Sequence, residues 1–198
     1  MVLRSQLRTV GNGVFGIAAG DRILPLQARM QAHALVYFDD PYFVCRVRAG
    51  GPEEQWCSVL TLENTFGFGT YYWRAKASSP GSHRHHWLGG FERHHGFPTD
   101  GMIGFWILDG TCKVMTCSDG ICEDTVFSQE DWTSERIFKI IWSPLKVEYF
   151  LEETLLATHT KNVPKEPMNF FFEAGRIGGT TPVDHAVYFR KDSFTKVD

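Results

Sequence analysis

Apolar and polar side chains alternate along most of the chain with a period of two, the pattern of strands that bury one face and wet the other. In KVEYFLEE, Val147, Tyr149 and Leu151 point one way while Lys146, Glu148 and Phe150 point the other. In GTYYWRAKA an apolar face of Tyr71, Trp73, Ala75 and Ala77 opposes Thr70, Tyr72, Arg74 and Lys76. Comparable runs recur as ALVYF, YFVCRVR, CSVLTL, HHWLGGF, MIGFWIL, CKVMTC, ICEDTVF, FKIIW, LLATHT, MNFFFEA and HAVYFRK. Turn-forming residues punctuate them at Asp39-Asp40-Pro41, Gly50-Gly51-Pro52, Ser78-Ser79-Pro80-Gly81, Pro98-Thr99-Asp100-Gly101, Asp119-Gly120, Ser143-Pro144 and Gly178-Gly179. No stretch shows helical spacing over a comparable length. Many short strands at this interval predict an all-β fold, a single-domain antiparallel β-sandwich of the jelly-roll kind over residues 1–198.

Composition narrows the function. A chain of 198 residues that is 43% hydrophobic and 14% aromatic fills one large core. A net charge of -3 removes the electrostatic footprint of a nucleic-acid binder. No apolar run approaches the roughly 20 residues of a membrane span. The first twenty residues, interrupted by Arg8, Asn12 and glycines, make a poor signal peptide, so the expected setting is cytoplasmic or secreted with a leader removed.

Two cysteine pairs have suggestive positions. Asp119-Gly120 is a two-residue hairpin signal that sets Cys117 opposite Cys122 in a non-hydrogen-bonded pair, where Cα atoms approach to about 4.5 Å, within disulfide range. Either a bridge or two reduced thiols fits there. Cys45 and Cys57 flank AGGPEEQ and would pair likewise if that loop closed a hairpin symmetric about Gly51; Cys112 is left over.

Three segments, together with the closing strand, resemble the concanavalin A-like lectin and glucanase superfamily, nearest to family-16 glycoside hydrolases. TFGFGTYYWRAK (65–76) is similar to that family's F-x-Y-G-x-Y-E-A-R-x-K strand, and FKIIWSPLKVEYFL (138–151) to its F-x-I-x-W-T-P-x-x-I-x-F-Y-V hairpin. Pro167-Met168 with the following FFF resembles its P-M-x-L-x-L-N strand, and VDHAVY (183–188) its closing V-D-Y-V-R-V-Y. The resemblance implies two curved antiparallel sheets with a glycan on the concave one. The family's E-x-D-x-x-E catalytic strand has no counterpart: the corresponding region, HRHHWLGGFERHHGFPTDG, carries Glu92 as its one carboxylate before Asp100. The family's own chemistry therefore does not transfer.

Residues 83–95 hold five of the eight histidines. On a regular strand His86, Leu88, Gly90, Glu92 and His94 share one face, and His85, Trp87, Gly89, Phe91, Arg93 and His95 the other. Gly89-Gly90 leaves room either for a ligand or for a bulge against a neighbouring strand. His86, Glu92 and His94 suggest a metal site, but His86 and Glu92 stand about 20 Å apart along a strand, too far to share an ion. No metal and no cofactor are expected.

For catalysis the candidates are Glu92 and Glu173, the latter in the apolar strand MNFFFEA, where a carboxylate needs a wet or paired face. This arrangement resembles family-11 and family-12 glucanases, which implies a retaining hydrolase with Glu92 as nucleophile and Glu173 as acid/base if the carboxyls lie about 5 Å apart. Pairing of Glu173 with Arg74 or Arg176 is the structural alternative. A polysaccharide lyase using Tyr72, Arg74, Lys76, His86 and His94 is a third option. The leading expectation is a protein that binds a polysaccharide or oligosaccharide through Tyr72, Arg74, His86, Trp87, His94 and Trp106, with neither nucleic acid nor membrane as partner.

Overall fold

The computed structural model describes residues 16–19, 22–30, 34–50, 55–61, 66–78, 84–93, 101–128, 131–176 and 183–197. These contain sixteen strands and no helix. The first eight are Gly16–Ala19 (β1), Arg22–Met30 (β2), Ala34–Asp39 (β3), Tyr42–Val47 (β4), Gln55–Thr61 (β5), Gly69–Ala77 (β6), Arg84–Glu92 (β7) and Met102–Leu108 (β8). Then follow Thr111–Ser118 (β9), Ile121–Phe127 (β10), Arg136–Trp142 (β11), Val147–Leu151 (β12), Thr154–His159 (β13), Asn169–Arg176 (β14), His185–Arg190 (β15) and Thr195–Val197 (β16). The first sheet runs β1-β2-β5-β14-β7-β8-β9-β10; the second runs β13-β12-β11-β6-β15-β4-β3, with β16 also on β6. Every pairing is antiparallel, so the chain is the all-β jelly-roll sandwich its alternation predicts.

The inward positions are those the alternation selects. Tyr71, Trp73, Phe138, Ile140, Tyr149 and Phe189 of the second sheet meet Leu88, Phe91, Ile103, Phe105, Phe170 and Phe172 of the first, all at 0% exposure. Each such side chain contributes about 1.5–3 kcal/mol of burial. Rings interlock across the gap, with Tyr71 and Phe91 at 4.6 Å and Phe172 and Phe189 stacked at 4.9 Å.

A polar chain also ties the sheets together near β10 and β13. The Tyr149 hydroxyl donates to the Met115 carbonyl at 2.5 Å and accepts from Thr116 at 2.6 Å. Thr116 Oγ1 in turn accepts from His159 Nδ1 at 2.9 Å, which leaves His159 Nε2 to accept from the Thr125 hydroxyl at 2.9 Å. Burial holds His159 below its ordinary range, in keeping with that neutral tautomer.

The Asp119-Gly120 hairpin forms with both turn residues at positive φ, and Cys117 pairs with Cys122 in register. Those two cysteines are disulfide-bonded, with Cα atoms 4.1 Å apart. Cys45 and Cys57 do not repeat the arrangement. β4 belongs to the second sheet and β5 to the first, so the connection between them changes sheet where a hairpin was expected. Both thiols are free and buried; Cys57 donates to the Arg46 carbonyl at 3.5 Å and Cys45 to that of Phe172 at 3.9 Å. Burial, reinforced by the Cys57 thiol, holds Cys45 well above the ordinary thiol range. β1, β2 and β16 went unread in the sequence; Pro25 inside β2 masks its alternation. The turns expected at Gly51-Pro52, Ser79-Pro80-Gly81, Pro98–Asp100 and Gly178-Gly179 lie outside the described residues.

Candidate functional site: the outer face of the first sheet

β7 is not a regular strand. Its register on β8 skips Leu88, so Leu88 and Gly89 together oppose Phe105. The second sheet locks this bulge: Trp73 Nε1 donates to the Leu88 carbonyl at 2.8 Å, and its indole fills the space beside Gly89. A Cβ on Gly89 would stand 2.4 Å from Trp73 Nε1, and the backbone φ of +130° already disfavours any other residue. Gly90 is equally constrained, since a Cβ there would meet the Ile103 carbonyl oxygen at 2.3 Å. The paired glycines thus serve the bulge and a close strand approach, and leave no opening for a ligand.

The bulge changes which residues face outward. His86 and Leu88 lie inside, but beyond the bulge Phe91 lies inside and Glu92 outside. Cross-strand pairing then assembles rows on the outer face. One row is Ser58, Glu173, Trp87, Trp106 and Lys113, drawn from β5, β14, β7, β8 and β9. The next is Leu60, Phe171, Gly90, Gly104 and Met115, and the one after holds Asn169, Glu92, Met102 and Cys117. Trp87 and Trp106 stack at 5.4 Å with planes 6° apart, and Phe171 leans on Trp87 at 5.4 Å. Gly104 permits this, because a Cβ there would lie 3.3 Å from the edge of Trp87. Trp87 keeps only 3% exposure, so the half-buried Trp106 presents the accessible indole.

Beside the stack, Glu173 Oε1 lies 2.7 Å from His85 Nε2, with side-chain exposures of 19% and 13%. His85 rests over Gly175, where a Cβ would be 2.8 Å from the ring, and meets Trp106 edge-on at 6.3 Å. Its Nδ1 is buried without a hydrogen-bond partner, which favours the tautomer that carries the proton on Nε2 and donates it to Glu173. His85 therefore orients the carboxylate, while the second oxygen of Glu173 has no protein partner among the described residues. At the far end of the row, Lys113 pairs with Asp124 at 2.9 Å.

The structure redistributes the residues expected to form the site. Trp87, Trp106, Glu92 and Glu173 share the outer face of the first sheet. Tyr72 and Arg74 do not: with Tyr71, Trp73 and Ala75 in the core, they project from the opposite side of the sandwich. His86 is also removed from any ligand, being fully buried between the sheets, 5.3 Å from the ring of His185. Burial holds both of these histidines neutral, His185 down to about 4 and His86 well below the usual histidine range, while His185 Nε2 donates to the Gly175 carbonyl at 2.8 Å. His94 lies outside the described residues. Sequence reasoning missed His85; counting across the bulge, and not the His repeat, identifies it.

Glu92 and Glu173 are not a close pair. Asn169 is the residue that opposes Glu92, four positions from Glu173 and about 13 Å along the strand. The bond to His85 also draws the Glu173 carboxylate away from Glu92, since His85 occupies the row on the far side. The roughly 5 Å separation of a retaining pair is incompatible with this register. Arg74 is on the other sheet, so it is not the partner of Glu173 either; that partner is His85. Among the described residues no three His, Cys, Asp or Glu side chains are grouped closely enough to hold a metal ion.

Solved glucanases that have little sequence in common with this chain share this two-sheet architecture. A lichenase derived from a mouse hindgut metagenome superposes with a TM-score of 0.70 at 11% identity, covering 98% of this chain and 93% of that one. The Bacillus licheniformis β-glucanase gives 0.67 at 12% identity, with 98% and 92% covered. The laminarinase catalytic domain of Thermotoga petrophila gives 0.62 at 18% identity, with 82% and 79% covered. No family model matches the chain, and no curated protein matches it by sequence. What is shared at such identities is the fold, as the resemblance in the sequence implied.

Proposed function

We propose that the protein is a single-domain β-sandwich that binds a polysaccharide or oligosaccharide across the outer face of the first sheet. The observation that carries this reading is the row Ser58, Glu173, Trp87, Trp106 and Lys113, which crosses five adjacent strands over about 19 Å. Trp106 supplies an indole for the apolar face of a pyranose, and the free oxygen of Glu173 accepts from sugar hydroxyls. The solved structures that share the fold are named for enzymes acting on glucans, which supports a glucan as the first ligand to try. Binding is favoured over hydrolysis because Glu173 is committed to His85 and has no second carboxylate near it on the row.

The test is retardation of the protein in gels containing soluble β-glucans, with reducing-end release measured on the same panel. At least one glucan is expected to retard the wild type, Trp106→Ala to abolish the effect and Tyr72→Ala to leave it intact. The reading fails if no glycan retards the protein, or if Tyr72→Ala removes binding and Trp106→Ala does not. Hydrolysis that disappears in Glu92→Gln would instead restore the two-carboxylate mechanism.

A further inference from the structure

Charge on the row decides which glycans it accepts. Glu173 is aligned by a single bond from His85, and its remaining oxygen is partly exposed beside the Trp87–Trp106 stack. Its register partner on β7 is Trp87, so the carboxylate and an indole stand at directly opposed positions, with Cβ atoms about 5 Å apart. Trp87 is itself covered, but the accessible Trp106 indole stands one strand further along the same row, so an ammonium-bearing glycan laid on the row gains an ion pair at Glu173 and an aromatic neighbour at Trp106. Of the cations at positions of this row, Lys113 is already engaged by Asp124 at 2.9 Å, and Arg29 of β2 stands at the other end, opposite Ser58. An anionic glycan lying between Ser58 and Lys113 would therefore meet the Glu173 carboxylate, and the lysine that might receive it is occupied.

We infer that this face selects by charge: it binds glycans bearing free amines most tightly, neutral glycans less tightly, and carboxylated or sulfated glycans least. The inference rests on the proposed glycan-binding function and adds the chemical class of the ligand. Glu173 is the residue that discriminates, His85 positions it, and Asp124 keeps Lys113 from offering a competing anion site. Because the glutamate answers to charge and Trp106 to ring shape, the two contributions separate by mutation.

Three soluble polymers with the same β-1,4-linked glucan backbone provide the test: hydroxyethyl cellulose carrying primary alkylamine groups, which stay protonated at mildly alkaline pH as a lysine side chain does, plain hydroxyethyl cellulose, and carboxymethyl cellulose. Affinities are measured at mildly alkaline pH, where an ordinary imidazole is neutral, with net protein charge controlled by a variant such as Glu153→Gln on the opposite, solvent-facing side. Wild type is expected to favour the amine polymer over the neutral one by about tenfold or more, equivalent to about 1.4 kcal/mol. Glu173→Gln, which keeps an acceptor but removes the charge, is expected to erase that preference, weakening the amine polymer by about tenfold more than it weakens the neutral one. Asp124→Asn, on the exposed hairpin strand, is expected to release Lys113 and raise affinity for carboxymethyl cellulose. Carboxymethyl cellulose binding as tightly as the neutral polymer to wild type overturns the inference, as does an amine preference that persists in Glu173→Gln or vanishes equally in Glu153→Gln. Failure of all three polymers to bind counts against glycan binding itself, a different outcome.

Discussion

On the outer face of the first sheet, Leu60, Trp87, Met102, Met115 and Phe171 keep between 1% and 5% exposure. On the outer face of the second, the same alternation places Tyr72, Arg74, Lys76 and Lys139 in solvent contact. There each cation is already occupied. Lys76 lies 4.6 Å from the Tyr42 ring and 5.2 Å from that of Tyr188, Lys139 lies 4.0 Å from Phe150, and Arg74 and Arg190 share Glu135 at 3.4 Å each. Such exposed contacts contribute little individually and leave no vacancy. The first face instead packs aromatic and apolar side chains around one partly exposed carboxylate, with Trp106 the half-buried ring among them. Two strands with similar letters, GTYYWRAKA and RHHWLGGFE, thus yield a solvated surface and a candidate site; the difference lies in the bulge.

The sharpest way to break this contrast is Gly89→Ala. The new Cβ would collide with Trp73 at 2.4 Å in a backbone conformation with φ of +130°. We expect a loss of about 3 kcal/mol or more in urea unfolding, accompanied by loss of the near-ultraviolet signal of the stacked tryptophans; an unchanged midpoint would refute the lock. Next in size is acid sensitivity of the interior behind the site. His185 is held at about 4, first by burial, with Arg84, Arg176 and His85 adding to the effect and the Gly175 carbonyl opposing it; His86 is lowered first by burial and then by His185, His85 and Arg84. The unfolded chain binds these protons near pH 6.5 and the folded one does not, so stability is full above about 6.5 and declines as pH falls towards 4. His185 alone accounts for roughly 3 kcal/mol of that decline, readable as a Tm that drops across this window; a flat profile would contradict it.

A third measurement concerns the edge of the site. Denatured without reductant, the protein is expected to titrate three thiols, those of Cys45, Cys57 and Cys112, and reduction of Cys117–Cys122 to lower stability by about 2 kcal/mol. Five thiols before reduction would remove the staple from the hairpin. The smallest effect is expected on the opposite side, where Lys76→Ala should change stability by less than about 0.5 kcal/mol and leave glycan retardation unaltered. A loss of binding there would move the site to the second sheet.

The fold was legible because alternation and turn chemistry are local. Tyr71, Trp73, Val147 and Tyr149 were placed inside from period-two spacing alone, and Asp119-Gly120 located a hairpin and its cysteine pair. The site was only partly legible, for two physical reasons. Alternation reports which residues share a face but not to which of two sheets a strand belongs, so Tyr72 and Arg74 were grouped with Trp87 and Trp106 across the hydrophobic core that separates them. The same ambiguity made the passage from β4 to β5 resemble a hairpin around Cys45 and Cys57. Alternation also assumes an unbroken count, and the unpaired Leu88 broke it, so His86 was set beside Glu92 when His85 and Trp87 belong there.

That one unpaired residue behaves as a phase shift. Before it, even-numbered residues of β7 face the core; after it, odd-numbered ones do. Deleting Leu88 would merge the two phases, and everything on one side of the deletion would exchange inside for outside with no other letter altered. Either Trp87 and His85 would be driven into the core, or Glu92 would be. The composition of the candidate site is therefore written in the number of residues between Trp87 and Gly90 as much as in their identity, and single-residue insertions and deletions there are the changes by which a sandwich of this kind gains or loses such a face.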